Sequence, residues 1–483
     1  MEKMKASIDI NAKISHLISQ CNNPQIYSNI IGELFVYGIE KPSKVIDSLN
    51  ILPKLGEKEI TNNFNKNINK IITTIKEIIS KPSHEMYKVL SCIYGAFLGD
   101  ATGAFCEFEQ PNPNNSKRIF KYPNTVIGGV PGQVTDDSEM ALSLAYAIMD
   151  NPEKKKLISD YIFFYYGAWS QTHPLDIGST TKKSLKEFNF IKYNPNLSNF
   201  KDIEKILLEK NINSLSNGFL MRKSPFIAWL YYRFFDEVNN AIEKDKNDEL
   251  FALYINIRTL SESDNKCTNP HQQANIVSAF YCLMALMAIK GLTSSQIIDI
   301  ISKFCKFDYF NNLKKEDDEK IVSQKILRYI ELFNSQQFDL WNSFADPNKK
   351  EEFIYHHMGY YFHALKLTLY FLCQFEILKK KSGIKKLYKD IMYKICDLGG
   401  DTDTNCCIVG TVIGPLIGIS YFGSKLNSML ELIPPKRAIY SVSLAYLLVI
   451  YLKKSNEDDN LLKNDKYFLQ QILTMIYGDI KID

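Results

Sequence analysis

Three short stretches concentrate oxygen-bearing side chains beside glycine. "GAFLGDATGAFCEF" (95–108) carries Asp100 and Glu107, and "VTDDSEMALSLA" (134–145) carries Thr135, Asp136, Asp137 and Ser138. "DLGGDTDTNCC" (397–407) carries Asp401, Thr402, Asp403, Thr404 and Asn405. An all-oxygen donor set suits Mg2+ or Ca2+, whereas Zn2+ calls for His or Cys. Asp401 and Asp403, with Thr404 and the Thr135–Asp137 group, could hold two ions around shared carboxylates. A metal pair about 3.5–4 Å apart is a common arrangement for hydrolysing phosphate-bearing or glycosidic substrates.

Each stretch also has a purely structural reading. Gly99, Asp100 and Gly103 would end an apolar helix, because glycine accepts the positive φ of a C-terminal turn. Asp136 and Glu139 have the spacing of a capping box, and acidic residues in a first turn suit the helix dipole. A cap needs one oxygen, however, and Thr135 to Ser138 offer several in succession. Glu107 lies among Phe105, Cys106 and Phe108, where an unpaired carboxylate is costly. Glycine-permitted backbone, surplus oxygen and an apolar helix behind recur in these places, which points to a shared hard-cation site.

Helices must position these groups. Apolar spacing predicts helices over 86–98, 138–149, 157–168, 274–290, 359–380 and 384–397. The uncharged run 405–424 contains Gly410, Gly414, Pro415 and Gly418, and the run 438–452 is only 15 residues long. A membrane span needs about 20 residues, so both read as buried helices. The mixed-charge stretches "NNLKKEDDEK" and "KKSNEDDNLLKND" read as solvated loops or helix faces. Alternating strand patterns are scarce, and no strand–GxGxxG–helix or phosphate-loop unit occurs. The expected organisation is an all-α catalytic domain over 86–483, preceded by a helical N-terminal extension, 1–85, of unassigned role.

Composition narrows the function class. Hydrophobic residues make up 45% and charged residues 23%, ordinary for a soluble globular chain. The net charge of +4 comes from scattered lysines, which gives no nucleic-acid signal. The ten cysteines include no CxxC pair, and the start lacks a signal-peptide apolar core. A soluble, monomeric, cytoplasmic protein without a membrane partner is expected.

Together, and in this order, the three stretches resemble the ADP-ribosylglycohydrolase family over about residues 87–450. That family includes hydrolases that remove ADP-ribose from arginine or serine, and the dinitrogenase-reductase-activating glycohydrolase. The resemblance implies a compact orthogonal helical bundle with two Mg2+ ions in a cleft. Carried over by motif, Thr135, Asp136 and Asp137 match one ligand group, and Asp401, Asp403 and Thr404 match the other. Glu107 matches an acidic residue that ligates metal or acts on the attacking water. "PLDIGSTTKKSL" resembles the glycine loop beside ADP-ribose, which implies diphosphate contacts from Gly178, Ser179 and Thr180. "SLSNGFLMRKSP" resembles the family's Asn-Gly segment and makes Asn217 and Gly218 ligand contacts. "GYYFHALKLTLYFL" matches a structural helix in which His363 is expected to be a packed core residue.

Two departures accompany the match. Ser138 stands where Thr is common, which keeps a hydroxyl. In "CTNPHQQAN", Asn269 occupies the usual His position, with His271 as the candidate substitute in substrate binding. The implied reaction is hydrolysis of the bond between C1″ of ADP-ribose and an acceptor, through an oxocarbenium-like state. Glu107 or Asp137 would be the acid/base, and the partner would be the ADP-ribose moiety of a mono-ADP-ribosylated protein. The alternatives are an inactive ADP-ribose-binding or crystallin-like relative, and a hydrolase of a free ADP-ribose derivative or of ADP-ribosylated nucleic acid.

Overall fold

Apolar residues run almost unbroken from Tyr87 to Phe105 and form α1, Glu85–Gly103. The computed structural model describes residues 85–422, apart from several short stretches inside that span. The N-terminal extension before residue 85 and the 438–452 segment lie outside the described residues.

After α1 come α2 Asp136–Asp150, α3 Ser159–Ser170, α4 Ser179–Leu185 and α5 Phe200–Asn211. Next are α6 Gly218–Met221, α7 Ser224–Arg233, α8 Phe235–Glu243 and α9 Asn247–Asn265. The chain continues through α10 Gln272–Ile289, α11 Ser294–Cys305, α12 Asp308–Asn312, α13 Asp318–Asn334 and α14 Leu340–Phe344. It closes with α15 Tyr361–Cys373, α16 Phe375–Ser382, α17 Ile384–Leu398 and α18 Thr402–Ile417. No strand forms among the described residues, and Ser216 and Tyr360 make an isolated antiparallel bridge. The fold is all-α, as expected.

The predicted helix over 359–380 is two helices. Gln374 leaves the helical region between α15 and α16, and its side-chain amide donates to the Phe333 carbonyl at 2.6 Å. The apolar pattern therefore continues across a bend that only α13 reveals. Apolar spacing also passed over α9, α11 and α13, whose polar faces dilute the signal. A capping box at Thr293 and Gln296 marks the start of α11. The described cysteines are unpaired, and all but Cys373 are buried. By length and composition α10 could cross a membrane, yet it is buried among the other helices, as a core helix is.

The central contact is between α1 and α18, which run antiparallel with their backbones touching. A β-carbon at Gly95 would overlap the Gly410 carbonyl, one at Gly99 the Cys406 carbonyl, and one at Gly103 the Thr402 carbonyl. Gly410 and Gly414 meet the Gly95 and Ser91 carbonyls in the same way. Only glycine permits this approach, because any side chain would push the axes apart. Tyr388 of α17 clamps the pair by donating its hydroxyl to the Gly95 carbonyl at 2.5 Å. The result sets the C-terminal end of α1 beside the N-terminus of α18.

Gly99→Ala is therefore expected to destabilise the chain by roughly 1–3 kcal/mol through overpacking. At Gly178 a β-carbon meets open space, so Gly178→Ala should stay within about 0.5 kcal/mol. Denaturant unfolding of the two variants checks the contrast, and equal midpoints would contradict the close-packed axis.

Candidate metal centre

Asp100 lies in the last turn of α1 rather than in a C-terminal loop, and it is fully buried. Its carboxylate accepts the Thr135 N–H at 3.0 Å, the Thr135 hydroxyl at 2.9 Å, the Ser138 N–H at 3.1 Å and the Ser138 hydroxyl at 2.5 Å. Asp100 thus caps α2 from another helix. Burial still pushes its carboxyl up to about 6, against the lowering effect of those hydrogen bonds. The capping box expected between Asp136 and Glu139 does not form, and Thr135 makes no local side-chain cap. Glu139 instead accepts the Trp169 indole N–H at 2.8 Å, and burial raises it to about 8.

The same device recurs at α18. Asp401 is its N-cap residue but makes no side-chain cap there. Glu107, just after α1, accepts the Asp403 N–H at 3.2 Å. The loops beside these residues are tied together: the Phe108 N–H donates to the Gly400 carbonyl at 2.8 Å, and the Gly400 N–H to Glu109 at 2.9 Å. Gly399 has φ 69°, and a β-carbon there would overlap the Glu109 carbonyl, so the glycine pair is required by this crossing. Phe108, at φ 60°, holds left-handed backbone next to Glu107, a strain that tertiary contacts must sustain.

With capping supplied by α1 and its following loop, the carboxylates of α2 and α18 are released to converge. Oxygens of Asp100, Asp137 and Asp403 lie within 4.8 Å of one another. So do those of Glu107, Asp401 and Asp403, and those of Asp136, Asp176 and Asp403. Asp403 belongs to every set. The Thr135 hydroxyl oxygen is 3.1 Å from both Asp137 Oδ2 and Asp403 Oδ2, and Thr404 Oγ1 is 3.4 Å from Asp137 Oδ2. One hydroxyl proton cannot serve three acceptors, so these contacts leave oxygen facing oxygen. Asp137 Oδ1 is buried with no hydrogen-bond partner.

Electrostatics demand a counter-charge. Burial is the largest cause raising the carboxyls of Glu107, Asp136, Asp137, Asp401 and Asp403. Neighbouring carboxylates add to it: Asp403 acts on Glu107 and Asp137, and Asp176 and Asp403 on Asp136. Such a cluster is stable in ionised form only when cations compensate it. The orphaned Asp137 oxygen and the all-oxygen donors fit a hard divalent cation.

The remaining sequence-predicted residues divide. Asn217 donates its amide to Asp401 Oδ2 at 2.6 Å, and Gly218 begins α6 beside it. Directly below, Arg222 and Lys223 share Asp264, with Arg222 Nη2 at 3.0 Å from Oδ1 and Lys223 Nζ at 2.5 Å from Oδ2, all fully buried. The Gly178 N–H donates to Asp136 Oδ2 at 3.2 Å, and Thr180 Oγ1 lies 2.9 Å from Ser214 Oγ. Ser179 is exposed. His271 caps α10 by accepting the Gln273 N–H at 3.1 Å, whereas Asn269 is buried and donates to Ser216 Oγ at 2.8 Å. His363 is buried and its ring is pushed down to about 3, chiefly by burial, which keeps it neutral. The capping action of Asp100 and the approach of Asp176 escaped the sequence reading. A lone aspartate inside an apolar helix is the signal for the first, and nothing local marks the second.

The ADP-ribosylglycohydrolase profile matches residues 82–447. The chain belongs to that family. A protein of Acanthamoeba polyphaga mimivirus with the provisional name ADP-ribosyl glycohydrolase is 25% identical over 336 residues, 68% of this chain and 86% of its own length. The ADP-ribosyl-[dinitrogen reductase] glycohydrolase of Rhodospirillum rubrum is 27% identical over 106 residues, 21% of this chain and 34% of its own. A solved structure titled ADP-ribosylglycohydrolase-related protein complex aligns at 17% identity with a TM-score of 0.47, covering 77% of this chain and 99% of that one. Family membership makes this chain a glycohydrolase, and the acidic centre is its cluster of groups able to bind metal.

For this glycohydrolase, MgCl2 should raise the melting temperature over a chelator control, by linkage worth about 2.7 kcal/mol at a hundredfold excess over Kd. Asp403→Asn should melt higher than wild type in chelator, because repulsion is relieved, and should lose the Mg2+ response. An undiminished response would remove Asp403 from the centre.

Proposed function

We propose that the chain is a Mg2+-dependent hydrolase that removes mono-ADP-ribose from protein side chains, arginine or serine. The observation carrying this reading is the convergence of buried carboxylates on Asp403 at the paired N-termini of α2 and α18. The names of the mimivirus and Rhodospirillum relatives support the ADP-ribosyl substrate class.

Thr135, Asp136, Asp137, Asp401, Asp403 and Thr404 would hold two ions. Bound there, divalent cations supply Lewis acidity toward the ribose hydroxyls and the attacking water. The chain's own residues have distinct tasks. Asn217 fixes one oxygen of Asp401, and Asp100 fixes the N-terminus of α2. Glu107 accepts the Asp403 N–H through one oxygen and sits beside the carboxylates of Asp401 and Asp403, which makes it one acid/base candidate. Asp137, with Oδ1 unpartnered, is the other acid/base candidate. The accompanying proposals are a monomeric chain and a reducing, intracellular setting, and the unpaired described cysteines support the latter.

Incubation with mono-ADP-ribosylated arginine and serine substrates in Mg2+ tests the reading. Release of ADP-ribose is expected from at least one, and release from neither sinks the claim for these linkages. Asp403→Ala should lower kcat by more than about a hundredfold with the helical circular dichroism retained. Glu107→Gln and Asp137→Asn separate the acid/base candidates, since only loss of the true one removes a limb of the pH–rate profile.

A further inference from the structure

A run of like charge lies at the elbow where α16 meets α17. Residues 379–389 hold six lysines and no carboxylate. Gly383, at φ 74°, turns the chain there and joins the last turn of α16, with Lys379, Lys380 and Lys381, to the first turn of α17, with Lys385 and Lys386. All five are exposed, and Lys389 on the next turn is half-buried. Lys379 pairs with Glu376 at 3.7 Å. Lys380, Lys381, Lys385 and Lys386 have no ion pair among the described residues.

Folding does not require this run. Lysines in the last turn of α16 suit its dipole, but the first turn of α17 holds no acidic residue, and cations there are unfavourable. Solubility asks for mixed signs, as on α5, where Lys201, Lys205 and Lys210 stand among Asp202, Glu204 and Glu209. The net charge of +4 conceals the excess, because acidic residues elsewhere balance it. Nor is the elbow a counter-charge for the acidic centre. The 15 residues of α17 span about 22 Å before the Gly399–Gly400 crossing, well beyond a Debye length of about 8 Å.

We propose that the α16–α17 elbow docks the phosphate backbone of nucleic acid, without sequence preference. A row of exposed, unpaired lysines complements a row of phosphates and releases their counter-ions. Tyr393, half-buried one turn beyond Lys389 and 5.4 Å from its Nζ, adds an aromatic ring to the row, as surfaces for single strands do. A protein partner fits less well, because protein interfaces favour Arg over Lys and all six cations here are lysine. A lipid surface also fits less well. Ile377, 61% exposed, is alone there as an exposed apolar side chain, and α17 turns Leu387, Ile391, Met392 and Ile395 inward. The elbow shares no residue with the acidic centre, so this inference stands apart from the hydrolase reading.

The test is fluorescence anisotropy of the full chain with labelled duplex and single-stranded DNA of about 20 nucleotides, in chelator so that no cation bridges phosphate to the acidic centre. Affinity should fall as salt rises, with a log–log slope between about −3 and −5 on the duplex. Lys385→Ala and Lys386→Ala should each weaken binding about threefold on any sequence and reduce the slope by about one. Replacing Lys380, Lys381, Lys385 and Lys386 together by Gln should weaken it more than about thirtyfold. All four are exposed, so the helical circular dichroism should not change. Lys201→Gln with Lys205→Gln on α5 should keep wild-type affinity, and vesicles of phosphatidylcholine and phosphatidylserine should not sediment the chain. No DNA binding by wild type at about 50 mM salt would overturn the proposal. So would a fourfold-substituted elbow within about twofold of wild type, or an equal loss in the α5 variant. Vesicle binding that the elbow substitutions abolish, without DNA binding, would make the surface a membrane contact instead.

Discussion

Contact between the backbones of α1 and α18 underlies everything at the site. Gly95, Gly99 and Gly103 on one helix and Gly410 and Gly414 on the other bring carbonyls against Cα atoms with no side chain between. Because the helices run antiparallel, the end of α1 that carries Asp100 meets the end of α18 that carries Asp403. A wider separation, as side chains impose between ordinary helices, would leave these carboxylates too far apart to share an ion. Tyr388 and the Gly399–Gly400 crossing hold the register from either side.

That register lets capping be delegated. A helix N-terminus leaves donors that a local Ser, Thr, Asp or Asn normally satisfies. Here Asp100 serves α2 and Glu107 serves α18, so Asp136, Asp137 and Asp401 need not turn back on their own backbones, and Asp403, whose Oδ1 accepts the Thr404 N–H at 2.7 Å, still keeps Oδ2 toward Thr135. Both helix dipoles then point at the same region and favour the negative charge gathered there. The dipoles lessen but do not cancel the repulsion, since burial and neighbouring charge still hold the carboxyls well above their ordinary range. Cation affinity follows from that residual strain.

The chain surrounds this negative centre with graded charge. Arg222 and Lys223 share Asp264 beneath the Asn217 turn, forming a buried, hydrogen-bonded support rather than a counter-charge in the cleft. Lys325 and Arg328 line the cavity between α13, the 356–360 loop and the start of α15.

Much of this was legible from residue order. Thr135–Asp137 and Asp401–Thr404 stand out because oxygen donors exceed what any cap consumes, and helical spacing located α1, α2, α10 and α18. Sequence alone therefore determined the helical class and the hard-oxygen chemistry, since composition and local period are properties of neighbours along the chain. Which carboxylates cap and which converge was decided only by tertiary structure. Asp100 meets Ser138, Glu107 meets Asp403 and Asp176 approaches Asp136 across separations in the chain that no local pattern records. The same holds for His271 and Asn269: two residues apart, one was drawn to a helix cap and the other to the buried face, because folding assigns each side chain to whichever donor or acceptor packing brings near.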